Sequence, residues 1–158
     1  MKVNQILPLL AKISIFGGIE PEQLSKILDI SNTEEFGTGD YIFKAGEPAT
    51  DIFVVLSGEI QIVLKSETEH YKLTEFTVGD CFGETSAIGI LNHSASAVAI
   101  SPVKLLLISR NILMNLYHDD SKLFGHIILN IARETCRRLY QTDKTLLHYA
   151  EHPPNDER

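Results

Sequence analysis

Apolar residues recur along this chain with two different periods, and the change of period divides it into three zones. From Met1 to Ser31 the spacing is helical, with Ile6, Leu9, Leu10 and Ile13 on one face. Gly17-Gly18 interrupts that pattern. Glu20-Pro21-Glu22 then opens a second helix, because proline is tolerated in a first turn and acids suit the positive end of the helix dipole. Leu24, Ile27 and Leu28 give this helix its apolar face.

From Thr33 to Ile108 the pattern shortens to strand-like runs separated by turn signals. The turns fall at Gly37-Thr38-Gly39-Asp40, Gly46-Glu47-Pro48, Ser57-Gly58-Glu59, Val78-Gly79-Asp80 and Ser101-Pro102. Between them lie Tyr41 to Lys44, Ile52 to Leu56, Ile60 to Leu64, Lys72 to Phe76, Ala95 to Ile100 and Val103 to Ile108. Ile60, Ile62 and Leu64 alternate in part with Gln61 and Lys65, as in a half-buried strand. Ile52 to Leu56 is apolar throughout, which predicts burial on both faces. Short strands at this spacing, about eight in all, predict a jelly-roll β-barrel.

Beyond Ser109 the helical period returns. Ser109 is placed to cap a short helix through Ile112, Leu113 and Leu116, and Asp119, Asp120 and Ser121 offer caps for a longer one. The longer helix runs from about Lys122 to about Tyr149. Its predicted stripe is Phe124, Ile128, Ile131, Thr135, Leu139, Thr142 and Leu146. A helix of about 28 residues spans roughly 40 Å, longer than one face of such a barrel. A second copy of the chain pairing along it is therefore expected. The domain reading is a single unit over 1–150, with helices at 3–31, a barrel at 33–108 and C-terminal helices at 109–149. The polar stretch 151–158 is expected to be a disordered tail.

Composition narrows the function. The chain has 158 residues and a net charge of −7, with a sequence pI of about 5.3. An acidic balance disfavours nucleic acid, since neutralising phosphates needs a basic surface; no DNA partner is expected. The N-terminus lacks the apolar core of a signal peptide, and no apolar run is long enough to span a membrane. The expected location is the cytoplasm. The two cysteines, Cys81 and Cys136, form no Cys-x-x-Cys pair and are expected to be free, buried thiols.

The strand zone carries ordered motifs. Ile15-Phe16-Gly17-Gly18-Ile19 is followed by Phe36-Gly37-Thr38-Gly39-Asp40-Tyr41-Ile42-Phe43 and Gly46-Glu47-Pro48-Ala49. Phe53-Val54-Val55-Leu56-Ser57-Gly58-Glu59-Ile60 and Gly79-Asp80-Cys81-Phe82-Gly83-Glu84 complete the set. In order and spacing, over roughly residues 10 to 145, these resemble the cyclic-nucleotide-binding domain of catabolite-activator-type regulators and of protein kinase A regulatory subunits.

The resemblance implies a phosphate-binding cassette from Phe82 to Ala97. Gly83 would let the backbone approach a sugar phosphate, and Glu84 would accept from a ribose hydroxyl. A helix starting near Thr85, with Ser86 in its first turn, would point amides at an anion. Ser94 and Ala95 match the small residues whose amides line the phosphate. Where the family has arginine, this chain has His93, which loses a permanently charged fork but can still donate when protonated. His93 is otherwise a partly exposed loop histidine. Thr135, polar within the apolar stripe, is a candidate contact to the base.

Two functions follow from the resemblance. One is a stand-alone regulatory module for cyclic AMP, cyclic GMP or a related phosphorylated ligand, acting through the C-terminal helix on a protein effector. The other is a degenerate relative that binds no nucleotide and serves as a dimerisation or docking unit. Activator-type members continue into a helix-turn-helix, and none is expected within this sequence. Arg137, Arg138 and Lys144 are too few for a DNA surface. A metal enzyme of the cupin type is not expected, because the six histidines form no His-x-His pair on a strand, and only His70 and His93 fall in the strand zone beside Glu75 and Glu84. No required cofactor, no metal site and no catalytic residue is expected.

Overall fold

The computed structural model describes residues 3–65 and 70–152. Helix α1 (Val3–Leu10), a 3₁₀ turn (Ser14–Phe16) and helix α2 (Pro21–Ile30) precede the strands. The strands are β1 (Asn32–Phe36), β2 (Tyr41–Phe43), β3 (Asp51–Ser57), β4 (Ile60–Lys65), β5 (His70–Phe76), β6 (Cys81–Phe82), β7 (Ser96–Ala99) and β8 (Val103–Ser109). A short helix α3 (Glu84–Gly89) sits between β6 and β7, and helices α4 (Arg110–Asp119) and α5 (Ser121–Glu151) follow β8.

The strands pair as two four-stranded antiparallel sheets, β1-β8-β3-β6 and β2-β7-β4-β5. This is a jelly roll made of two sheets, bracketed by helices. The strand signals named above omitted β1 and β6. Asn32–Phe36 is polar and largely exposed, so it lacks a burial pattern, and Cys81–Phe82 is a two-residue strand too short to carry one.

Strands β3 and β8 explain the layering. Their side chains alternate between two cores, because successive residues of a strand point to opposite faces. Ile52, Val54 and Leu56 join Leu106 and Ile108 against the helices. Phe53 and Val55 join Leu105, Leu107 and Phe82 inside the roll. Both faces are thus buried, as the unbroken apolar run predicted. The turn after β3 needs glycine: Gly58 has φ +84°, and a Cβ there would lie 2.3 Å from the Pro102 carbonyl oxygen. On β4, Ile60 is buried as expected, but Gln61 is buried too and donates to Glu75 at 2.9 Å, while Leu64 is exposed.

The C-terminal helices have the expected caps. Ser109 Oγ accepts from the Ile112 amide at 3.2 Å, and Asp120 accepts from the Leu123 amide at 3.0 Å. The buried face of α5 is Leu123, Ile127, Asn130 and Ile131, rotated from the predicted stripe. Leu139 is 60% and Leu146 62% exposed. Two adjacent apolar stripes run along this helix, and periodicity alone does not say which one faces the body of the domain. Asn130 fastens the buried one: its Nδ2 donates to the carbonyls of Ile15 at 3.2 Å and Gly17 at 2.9 Å. Helix α5 extends through Glu151, and most of the expected tail, 153–158, lies outside the described residues. No helix among the described residues is long and apolar enough to cross a membrane.

Candidate functional site

The site is built on the strand that leaves the roll. β6 pairs with Phe53 and Val54 of β3, and the chain then turns sharply at Gly83, whose φ is +82°. A Cβ at Gly83 would approach the Asp51 carbonyl oxygen and the Phe53 ring at 3.0 Å, so both conformation and space call for glycine. Helix α3 begins at once with Glu84. The return loop is tied to the segment after β2: the His93 amide donates to the Glu47 carbonyl at 2.9 Å, and the Gly46 amide donates to the His93 carbonyl at 2.8 Å.

These elements enclose a cavity of about 180 Å³. Gly83, Glu84, Thr85, Ser86, His93, Ser94 and Ala95 all line it, together with Phe43, Phe76 and Phe82 from the strands. Thr135 does not. The helix residue that enters the cavity is Arg138, one of the arginines assigned above only to surface charge. Its Nη1 donates to Glu84 Oε1 at 2.7 Å, and its Nη2 donates to the Cys81 carbonyl. Its Nε lies 3.4 Å from Glu134, and the guanidinium stacks 5.0 Å from the centre of the Phe76 ring. The available signal was register. Arg138 continues the line of Leu123, Ile127 and Ile131 at helical spacing, and a charged residue on a buried stripe asks for a partner.

Glu84 is 3% exposed at its side chain, and Arg138 supplies its ionic partner. His93 is 6% exposed, which overturns the reading of an exposed loop histidine. Its ring stacks on Phe43 with centroids 3.5 Å apart and planes 5° apart. Burial holds its pKa below the usual histidine value, while the nearby Glu47 and Asp51 carboxylates pull it upward. The ring is therefore neutral at pH 7. Burial, reinforced by the Glu84 charge, pushes the Cys81 thiol up to about 12, so it is inert. Cys136 is exposed on α5, where two mostly buried thiols were expected.

A wider groove of about 680 Å³ runs between β5 and the distal half of α5. Leu73, Leu146 and Tyr149 form its apolar walls, and Thr142 faces it. Thr74, Phe76 and Arg138 border both spaces, so the groove adjoins the cavity at Arg138. Among the described residues no group of three or more His, Cys, Asp or Glu is placed to hold a metal ion. Of the barrel-zone acids, Glu75 is engaged by Gln61 and Glu84 by Arg138.

A jelly roll walls a small cavity with a glycine–glutamate turn, and Arg138 of a long helix reaches into the same cavity. The chain belongs to the cyclic nucleotide-binding domain family, whose model matches residues 33–120. A cGMP-dependent protein kinase of Caenorhabditis briggsae is 30% identical over 155 residues, covering 96% of this chain and 19% of the kinase. A CRP-like cAMP-activated global transcriptional regulator of Mycobacterium tuberculosis is 26% identical over 139 residues, covering 87% of this chain and 60% of the regulator. The chain thus spans less than two thirds of either relative. A cyclic nucleotide-binding domain from Methylobacillus flagellatus shares the fold with a TM-score of 0.82 at 21% identity, over 92% of this chain and 82% of that one.

Proposed function

We propose that this chain is a regulatory module that binds a cyclic nucleotide in the cavity above Gly83 and reports occupancy through α5. Glu84 accepts from the ribose hydroxyl. The amides of Ser94 and Ala95, the ring of His93 and the hydroxyls of Thr85 and Ser86 face the phosphate. The observation that carries this reading is the Glu84–Arg138 pair, since the carboxylate suited to a ribose is held by a side chain of the helix that would signal. A ribose hydroxyl arriving at Glu84 alters the contact that fixes Arg138, and so shifts the balance between positions of α5. The relatives are named for cGMP in one case and cAMP in the other, so either nucleotide is a candidate. Thr142, on the groove wall, replaces Thr135 as the helix residue placed to meet a base.

The same reading makes the domain a cytoplasmic homodimer that acts on a protein effector. Leu139, Leu146, Leu147 and Tyr149 lie exposed on α5, the composition expected of a helix that pairs with its copy. Calorimetric titration with cyclic AMP and cyclic GMP is the test. Wild type should bind one of them and Glu84→Ala should lose binding while keeping its circular dichroism spectrum; unchanged binding in the variant would refute the assignment.

One observation favours a second reading, a docking unit without nucleotide: Arg138 already satisfies Glu84, and His93 stands where the family has arginine. His93→Arg separates the two. A working site tightens, and a closed one does not respond.

A further inference from the structure

We propose that a cyclic nucleotide enters this cavity together with a proton that lands on His93, so that the domain answers to nucleotide and acidity at once. This rests on the reading of the cavity as a nucleotide site.

The argument begins with the charges that face the space. Glu84 from α3 and Arg138 from α5 line it, and they neutralise one another at 2.7 Å. Arg138 is shared with a second carboxylate, Glu134, at 3.4 Å. Among the described residues no lysine and no further arginine lines the cavity. An incoming cyclic phosphate therefore meets two carboxylates and one guanidinium that is already engaged. The one lining group able to gain positive charge near neutral pH is the imidazole of His93.

Geometry makes that ring a two-state group. One face lies against Phe43 at 3.5 Å, and the side chain is almost wholly withdrawn from water. In the empty domain this favours the neutral form. The opposing influences are Glu47, in the loop tied to the His93 backbone, and Asp51 at the start of β3. Two carboxylates thus pull toward protonation and burial pushes away. A phosphate on the open side of the ring adds a third anion and a charge-assisted hydrogen bond, which tips the balance. Linkage then requires the reverse effect: whatever favours the protonated ring tightens the nucleotide.

The expected behaviour follows from proton counting. Above the midpoint of the bound form, affinity sits on a weak plateau. Below the midpoint of the free form it sits on a tight one. Between the two, Kd falls about tenfold for each pH unit of acidification.

The experiment is calorimetric titration of the full chain with cyclic AMP and cyclic GMP from about pH 5.5 to about pH 8.5. Each titration is run in two buffers of different ionisation enthalpy to count protons, with the His93 ring followed by NMR. Wild type should take up close to one proton per nucleotide between the plateaus, and the His93 midpoint should rise on saturation. His93→Gln should bind weakly with no pH slope, and His93→Arg tightly with none. Binding that is lost in Glu84→Ala yet flat with pH in wild type overturns this inference and leaves the nucleotide site standing. A pH slope that persists in His93→Gln assigns the proton to another group, and also overturns it. No binding of either nucleotide at any pH overturns both.

Discussion

Replacing Arg138 with alanine tests the contact that joins α5 to the roll. The substitution removes the 2.7 Å ion pair to Glu84, a hydrogen bond to the Cys81 carbonyl and the packing over Phe76. Glu84 is left 3% exposed with no cationic partner. Deleting one member of a fully buried pair costs about 3–5 kcal/mol. The Arg138 side chain is 32% exposed, so water screens part of that interaction, and about 2–3 kcal/mol is the expected loss. At roughly 2–4 °C per kcal/mol for a chain of this size, the melting temperature should fall by about 5–10 °C. The clean assay is a double-mutant cycle with Glu84→Gln, by urea denaturation without nucleotide at one protein concentration. The double variant should be less destabilised than the sum of the singles, by about 1.5–3 kcal/mol, because the amide no longer leaves a charge behind. Effects that add within about 0.5 kcal/mol would refute the reasoning.

Asn130→Ala should destabilise by about 2–3 kcal/mol, since it strips the donors from the carbonyls of Ile15 and Gly17; a loss within about 0.5 kcal/mol of zero in chemical denaturation would show that the clamp does not matter. Titration with an aromatic disulfide reagent should find Cys136 reactive in the native state and Cys81 only in denaturant, as their exposure and the raised Cys81 pKa require. Rapid native labelling of Cys81, located by mass spectrometry, would contradict this. His93 binds fewer protons in the empty folded state than in the unfolded chain just below pH 6.5, because its folded pKa is depressed. Its contribution to stability is therefore complete above about 6.5 and is lost as pH falls from there through the lower folded value. His93→Gln should flatten that part of the stability–pH curve, and an unchanged curve would show that the ring does not titrate with folding.

Much of the architecture was legible before any coordinates. The unbroken run Ile52 to Leu56 required a strand covered on both faces, and β3 is that strand. The alternation of helical and strand periods placed the flanking helices, and Ser109 was recognisable as a cap because capping is local chemistry, with Asp120 one of three candidates for the second. Gly83 and Glu84 stood out through the family resemblance, which implies a cassette that opens with them.

What the chain order did not contain was the meeting of distant residues. Arg138 and Glu84 are separated by 54 positions, and a rotation of α5 by about one residue, which Asn130 sets through contacts with the N-terminal turn, decides that Arg138 lines the cavity and Thr142 the adjoining groove while Thr135 lines neither. His93 was visible as a missing arginine, but only its stacking on Phe43 made it a buried, neutral ring. Backbone period and turn chemistry depend on neighbours a few positions apart, so the sequence determined most of the elements and the burial of β3 on both faces. The register of a long helix with two apolar stripes, and the charge state of a cavity assembled from six separate segments, depend on packing across the whole fold, and only the tertiary structure decided them.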